Sequence, residues 1–270
     1  MTKTFSRRQA LALGGGLAGA AAIGTAAAGS AAAAGAWVRL PVVTANIGRR
    51  NLGNREAAIR DVRNNSDSER PLVGWQEINE GDTGEPAMIN QHFGGAYNNA
   101  FLNDGQSYRV PISVPAPWVV VNAVNTFVHG VVPNVSPPRW INEVTIQHNA
   151  NPTLKFAILN THYLAGAYNG EQSAANRVYW DQHKTIHRQR VMNYHNRGTA
   201  VFWTADTNNP NFDAATGQPN EGKAFPNGID RVDWLPGNGS VQIQLLNTKL
   251  VPMSVDDHSA RVAIFRVRTA

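Results

Sequence analysis

A chain of 270 residues without a cysteine excludes a disulfide framework and any thiolate metal site. Its formal charge of +5 is too mild to argue for nucleic-acid binding by itself, so any attraction to phosphate has to come from local clustering. The length suits one large domain whose core needs no covalent staples.

Residues 1–36 read as a targeting segment and stand apart from the fold. Lys3, Arg7 and Arg8 make the start basic, 11–28 carries no charge, and small residues lead to a cut after Ala36. Ser6-Arg7-Arg8-Gln9 resembles the twin-arginine export signal of bacteria. Gly and Ala dominate the apolar run, which makes it a poor membrane anchor. The expectation is a secreted protein whose working domain is 37–270, with no stable membrane span. Removing the segment leaves 21 basic against 19 acidic residues. The lack of cysteine suits cargo that folds before export.

The working domain alternates short β-like runs with turn-rich connections. Residues 38–47 predict a first strand and 72–77 a second. Between them 54–63 predicts a helix, with Asn54 as its N-cap and Ala58, Ile59 and Val62 on one face. The Asn- and Gly-rich stretch 86–113 shows no periodicity, and Asp82 and Glu85 read as part of a surface turn. Residues 118–128 form a long β run, and 141–147 with 154–160 a hairpin. A long helix is expected over 170–197, with Ala175, Tyr179 and Ile186 on its apolar face. His183 and His187 lie four apart on it, a spacing that suits zinc. No Glu stands between them, and Lys184, Arg188 and Arg190 would repel a cation, so they read as a solvated basic face. Strands over 200–204, 231–235, 241–246 and 261–267 complete an α/β or α+β layered sandwich.

Polar residues end several of the apolar runs: Asn46, Gln76-Glu77, Asn160-Thr161-His162, Asp206 and Asn208, with Asp256-Asp257-His258 just before the last strand. Sites are commonly built at such strand ends. The ordered set Thr44-Ala45-Asn46-Ile47, Trp75-Gln76-Glu77-Ile78, Asn160-Thr161-His162, Ala205-Asp206-Thr207-Asn208, Gly228-Ile229-Asp230-Arg231-Val232 and Asp257-His258 resembles the endonuclease/exonuclease/phosphatase (deoxyribonuclease I-like) superfamily, in a secreted, actinobacterial type.

That resemblance implies a four-layer α-β-β-α sandwich of two mostly antiparallel sheets, with the site at one edge. It implies Glu77 as the principal metal carboxylate with Asn46 beside it, and Asp257 completing the metal or water network. Asp206 would orient or deprotonate the attacking water, and Asn208 would hold the phosphate. His162 and His258 would stabilise the phosphoryl oxygens or serve the leaving group, with Asp230 holding His258. An acidic partner for His162 is open between Glu143 and Asn142. Oxygen ligands and histidines without thiols favour Mg²⁺ or Mn²⁺. Arg49, Arg50 and Arg55 follow the first site strand and suit either a grip on substrate phosphates or a solvated loop. Departures from the family pattern are Gly48, where some members carry an acid, Ala205 in place of Gly, and Ala260 in place of Pro.

The function expected is hydrolysis of a phosphodiester in DNA or RNA by a monomer with no obligate protein partner. A sphingomyelinase-like phospholipase or an inositol-phosphate phosphatase is the alternative within the same superfamily. A secreted carbohydrate- or surface-binding sandwich without catalysis is the alternative from another class. Endo or exo action is not decided by these residues.

Overall fold

The computed structural model describes residues 35–48, 54–79, 84–166, 174–253 and 258–270. Two βαβ units set the frame. In the first, β1 (Val38–Asn46) leads through helix α1 (Arg55–Asn65) to β2 (Leu72–Gln76), which pairs with it in parallel. In the second, β7 (Asn151–His162) leads through α3 (Ala174–His195) to β8 (Val201–Asp206), again in parallel. Strands buried on both faces read as near-continuous apolar runs. β8 (VFWTAD) and the second half of β7 are such runs.

The remaining strands add antiparallel partners. β3 (Tyr97–Ala100), β4 (Ile112–Pro115), β11 (Val241–Pro252) and β12 (Ser259–Thr269) join the first unit in the order β11-β12-β1-β2-β4-β3. β5 (Trp118–His129), β6 (Arg139–His148), β9 (Gly222–Lys223) and β10 (Asp230–Leu235) join the second as β5-β6-β7-β8-β10-β9. Each sheet thus has six strands.

Three apolar layers hold the sheets and helices. Between the sheets lie Leu40, Val42, Ile112, Val144, Phe156, Phe202, Val232 and Phe265. Ala58, Ile59 and Val62 of α1, with Ile89 of α2 (Glu85–His92), cover the outer face of the first sheet at Val43, Val73, Trp75 and Val262. Trp180, Val191 and Tyr194 of α3 cover the second at Leu159, Val201 and Trp203. Each large side chain fully buried this way stabilises the fold by roughly 1.5–3 kcal/mol. The result is the four-layer α-β-β-α sandwich expected. No helix of the described residues is long and apolar enough to cross a membrane.

Several local expectations need correction. On α3, Tyr179 and Ile186 are partly buried at the margin of the core and Ala175 is exposed. The buried stripe of the helix is Trp180, His183, His187, Val191 and Tyr194, and both histidines are fully buried. His183 stacks on Tyr163 with ring centroids 3.9 Å apart and meets Thr161 Oγ1 at 2.7 Å, while His187 Nδ1 lies 2.8 Å from Tyr163 Oη. They are core groups, each bonded to a hydroxyl through one ring nitrogen and buried without a partner at the other, not a solvated basic face. Arg190 on the same helix is tied to buried Glu143 at 2.7 Å. The stretch 86–113 contains α2, β3 and β4. Glu85 is no surface turn: it is buried and ion-paired with Arg55. Asn54 precedes α1 but makes no side-chain cap. Asp82 lies outside the described residues.

A polar bridge joins the two sheets near one end of the sandwich. Asn160 of β7 donates to the carbonyls of Trp75 (2.7 Å), Val110 (3.1 Å) and Pro111 (3.1 Å). Its Oδ1 accepts from Gln76 Nε2 (2.7 Å) and Thr204 Oγ1 (2.9 Å). Gly74 permits this approach: a Cβ there would stand 2.0 Å from Thr204 Oγ1 and 2.6 Å from Asn160 Oδ1.

Candidate active site

Strand register alone assembles most of the site. In the second sheet, His162 of β7 is the Cα partner of Asp206 of β8, and Asp206 is the partner of Asp230 of β10. One imidazole and two carboxylates therefore stand in a row across three strands. In the first sheet, Asn46 of β1 is the partner of Gln76 of β2, which places Glu77 just beyond the strand end. The Asn160 bridge holds the two ends together.

Across the gap, Asn46 Nδ2 donates to Asp206 Oδ2 at 2.8 Å, and Asn46 Oδ1 accepts from the Gly48 amide at 2.9 Å. Asp206 Oδ1 accepts the backbone N–H of Asn208 at 2.8 Å. Asn208 Nδ2 donates to the Tyr163 carbonyl and lies 3.1 Å from His162 Nε2. The same Nε2 lies 3.5 Å from Asp206 Oδ2 and 3.9 Å from Glu77 Oε1. Four non-glycine residues of the described chain have positive φ, and two of them are Glu77 (60°) and Asn208 (49°). Glu rarely adopts that region, and such costs of roughly 1–3 kcal/mol persist where the surroundings dictate them, often at sites.

The far side of the row is the His258–Asp230 pair, with Nδ1 and Oδ2 3.2 Å apart. Arg231, next in sequence to Asp230, turns away: it is buried and pairs with Asp233 at 2.8 Å. Burial opposes a charge on His258, but the hydrogen bond and charge of Asp230, with Asp206 and Glu77 behind it, outweigh that and push its pKa up to about 9. Burial, reinforced by the neighbouring Asp230 carboxylate, raises Asp206 to about 7.

Sequence reasoning missed Arg139. Its Nη1 lies 3.0 Å from His162 Nδ1. A guanidinium can only donate, so at this contact Nδ1 is the acceptor, while Nε2 faces Asn208 Nδ2. Neither open candidate fills that position. Glu143 is bound by Arg190 and by Thr126 Oγ1 (2.8 Å), and Asn142 donates to the carbonyls of Ser107 and Val110. Arg139 carried no sequence signal, because a pairing to a residue 23 positions on depends on strand register. Arg55 does not face substrate either: it is buried, pairs with Glu85 and donates to the Gly48 carbonyl at 3.3 Å. Arg49, Arg50 and Asp257 lie outside the described residues.

The donor set suits a hard divalent cation. It consists of carboxylates, amides and imidazoles, and Asp230 Oδ1 is buried without a hydrogen-bond partner. Among the described residues, Asp206, Asp230 and His258 each offer a ligand atom within 4.8 Å of the others. Glu77 is not in that group; its Oε1 lies 3.9 Å from His162 Nε2.

No family model matches this chain, and no curated protein matches it. Solved structures do. An endonuclease/exonuclease/phosphatase from Bacteroides vulgatus superposes with a TM-score of 0.62 at 14% identity, over 84% of this chain and 98% of that one. Truncated TDP2 from Caenorhabditis elegans gives 0.57 at 17% identity, over 86% and 98%. A mannosyl-6-phosphatase from Bacteroides thetaiotaomicron gives 0.52 at 13% identity, over 84% and 98%. The fold is that of the endonuclease/exonuclease/phosphatase structures.

Proposed function

We propose that this chain is a divalent-metal-dependent phosphoesterase of the superfamily whose fold it has, and that it hydrolyses phosphodiesters of DNA or RNA. The observation that carries the reading is the row His162–Asp206–Asp230 with Asn46, Asn208 and His258 closed around it. Phosphodiester hydrolysis needs a positioned water, charge stabilised on the phosphoryl oxygens and help for the leaving oxygen.

Each need has a residue. Asp206, held at Oδ2 by Asn46 and at Oδ1 by the Asn208 amide, has a pKa near neutrality and can take a proton from water. Asn208 Nδ2 donates to a phosphoryl oxygen, and the His162 imidazole beside it stabilises phosphoryl charge. His258, charged over the working pH range through Asp230, stabilises the developing charge and serves the leaving group. Glu77 with Asn46, and Asp257 beyond the described residues, would hold the cation. Bound there, Mg²⁺ or Mn²⁺ would neutralise phosphoryl charge and polarise the phosphorus centre.

The test is hydrolysis of DNA, RNA, sphingomyelin, inositol phosphates and mannose 6-phosphate with Mg²⁺, Mn²⁺ or EDTA. Cleavage of nucleic acid that EDTA and Asp206→Asn both abolish is the expected result. Turnover of mannose or inositol phosphates alone would replace the reading with a phosphomonoesterase, the activity named for the Bacteroides thetaiotaomicron structure. Turnover of sphingomyelin alone would replace it with a phospholipase.

Export belongs to the same proposal. The cut after Ala36 would leave Trp37 at the N-terminus, and Trp37 lies against the guanidinium groups of Arg266 and Arg268 at 4.6 and 4.4 Å. Sequencing of secreted protein should find its first residue within a few positions of Trp37. A secreted chain beginning at Met1 or Thr2 would refute it.

A further inference from the structure

A cavity of about 410 Å³ is lined by Tyr108, Arg109, Phe127, Pro137, Pro138 and Trp140, among others. Its size lies within the range of roughly 300–1,000 Å³ typical of small-ligand pockets. No residue of it has a role in the mechanism above.

The register explains how it forms. Phe127 of β5 and Trp140 of β6 are Cα partners, and their rings meet edge-on at 5.1 Å. Side chains alternate along a strand, so Trp140 shares a face with Asn142, and Phe127 with Asn125. Asn142 is anchored to the Ser107 and Val110 carbonyls, and Asn125 to Asp104 at 3.3 Å. Both rings therefore lean toward the segment that carries Tyr108 and Arg109. The Arg109 guanidinium sits 5.4 Å from the centre of the Tyr108 ring, and Pro137 and Pro138 close another wall.

Two contacts tie the pocket's lining to the reaction centre. Arg139, which precedes Trp140, holds His162. Arg109 donates to Asn79 Oδ1 at 3.2 Å, and its carbonyl accepts the Ile78 amide, immediately after Glu77. Phe127 is 52% exposed, the only exposed aromatic among the described residues whose large apolar side chains face water. Core packing does not require it there.

Resting on the reading above as a nucleic-acid phosphodiesterase, we infer that this pocket takes the base of a nucleotide flanking the scissile phosphodiester. Three aromatic rings and two proline faces match a planar heterocycle, while Arg109 and Gln106 offer polar groups to its edge. A cation in its wall is a poor match for an alkyl chain. A base can enter only if it leaves its stack, so the substrate is a single strand or an unpaired nucleotide.

The experiment compares oligothymidylate with an abasic strand of equal length and charge. Binding is measured by anisotropy in the Asp206→Asn protein, and cleavage in the wild-type chain with Mg²⁺ or Mn²⁺. The base-bearing strand should bind more tightly. Trp140→Ala and Phe127→Ala should each weaken it about tenfold while leaving the abasic strand unchanged. Phe127, being exposed, keeps the test valid if Trp140→Ala misfolds. Equal affinity for the two strands, or unaltered selectivity in Phe127→Ala, overturns the inference. So does a shift of tryptophan fluorescence on sphingomyelin vesicles without base selectivity. Base-selective binding with no cleavage of any nucleic acid would sustain the pocket and refute the proposed function. Nucleic-acid cleavage that is indifferent to the missing bases would do the reverse.

Discussion

His258 and His187 are both imidazoles withdrawn from water, and their surroundings drive them in opposite directions. His258 meets the carboxylate of Asp230, with Asp206 and Glu77 behind it, and is pushed up to about 9. Burial alone acts on His187, which meets a Tyr163 hydroxyl and the edge of Trp203 and is pulled down to about 3. His183 beside it is lowered for the same first reason, with His187, His129 and Arg139 adding to it. The helix face under α3 and the row of strand ends thus use one side chain for two purposes. Burial beside a hydroxyl keeps an imidazole neutral, as packing requires. A carboxylate makes it a cation, as phosphoryl chemistry requires.

The largest effects should fall on the strand-end row. Asp206→Asn should lower turnover of whichever phosphodiester is hydrolysed by about 10²–10³-fold, and Glu77→Gln by about 10²-fold at saturating Mg²⁺, with unchanged circular dichroism. Unaltered hydrolysis in Glu77→Gln would remove it as the metal carboxylate. His258→Ala should cost about 10²-fold. Asp230→Asn added to His258→Ala should cost little more, because the two act as a unit. Losses that multiply would show that Asp230 works elsewhere.

Under α3 the consequence should be mechanical. His187→Phe leaves the Tyr163 hydroxyl buried without its partner, which costs about 1–3 kcal/mol in urea unfolding. Turnover should be unchanged. A catalytic loss like that of His258→Ala would break the distinction between the two regions.

Most strands outside the 86–113 stretch were legible as apolar runs, and the row was legible because Asn46, Glu77, His162 and Asp206 each end such a run, while Asp230 came from the resemblance alone. The face of α3 was not. Its buried stripe mixes Trp180 and Val191 with His183, His187 and Tyr194, so hydropathy finds no continuous side. The segment between β2 and β5 was opaque for a related reason. Its burial depends on pairs distant in sequence, Arg55 with Glu85 and Asn142 with the Ser107 and Val110 carbonyls, rather than on apolar periodicity. Arg139 at His162 was hidden in the same way.

Acidity should separate the regions again, on a smaller scale. The folded pKa of His187 is depressed, so below about 6.5 the unfolded chain binds a proton that the folded one refuses. Stability is lost as pH falls from there toward 3, at up to about 1.4 kcal/mol per pH unit for that one group. His258 has the opposite sign. Its contribution is complete below about 6.5 and is lost as pH rises through about 9. Urea unfolding against pH in EDTA should show His187→Phe flattening the acid limb and His258→Ala the alkaline one. If both variants flatten the same limb, the two environments are not opposed. The smallest effect belongs to the solvent-facing Lys184–Asp213 pair at 3.4 Å at the edge of α3, where Lys184→Ala should change stability by no more than about 0.5–1 kcal/mol.

Gly74 gives the sandwich a fixed aperture. One hydrogen atom on its Cα is all that fits between β2 and the Thr204–Asn160 pair, and the Asn160 hydrogen bonds to Gln76 and Trp75 oppose any widening between the sheets at this end. A substrate therefore cannot wedge itself between the layers and must be presented along the rim, to the loops. Selectivity and scaffold are then separable. Exchanging the rim segments around Tyr108 and Pro137 should retarget the molecule to other phosphoesters while the gauge set by Gly74 keeps Asp206, His162 and Asn46 in register.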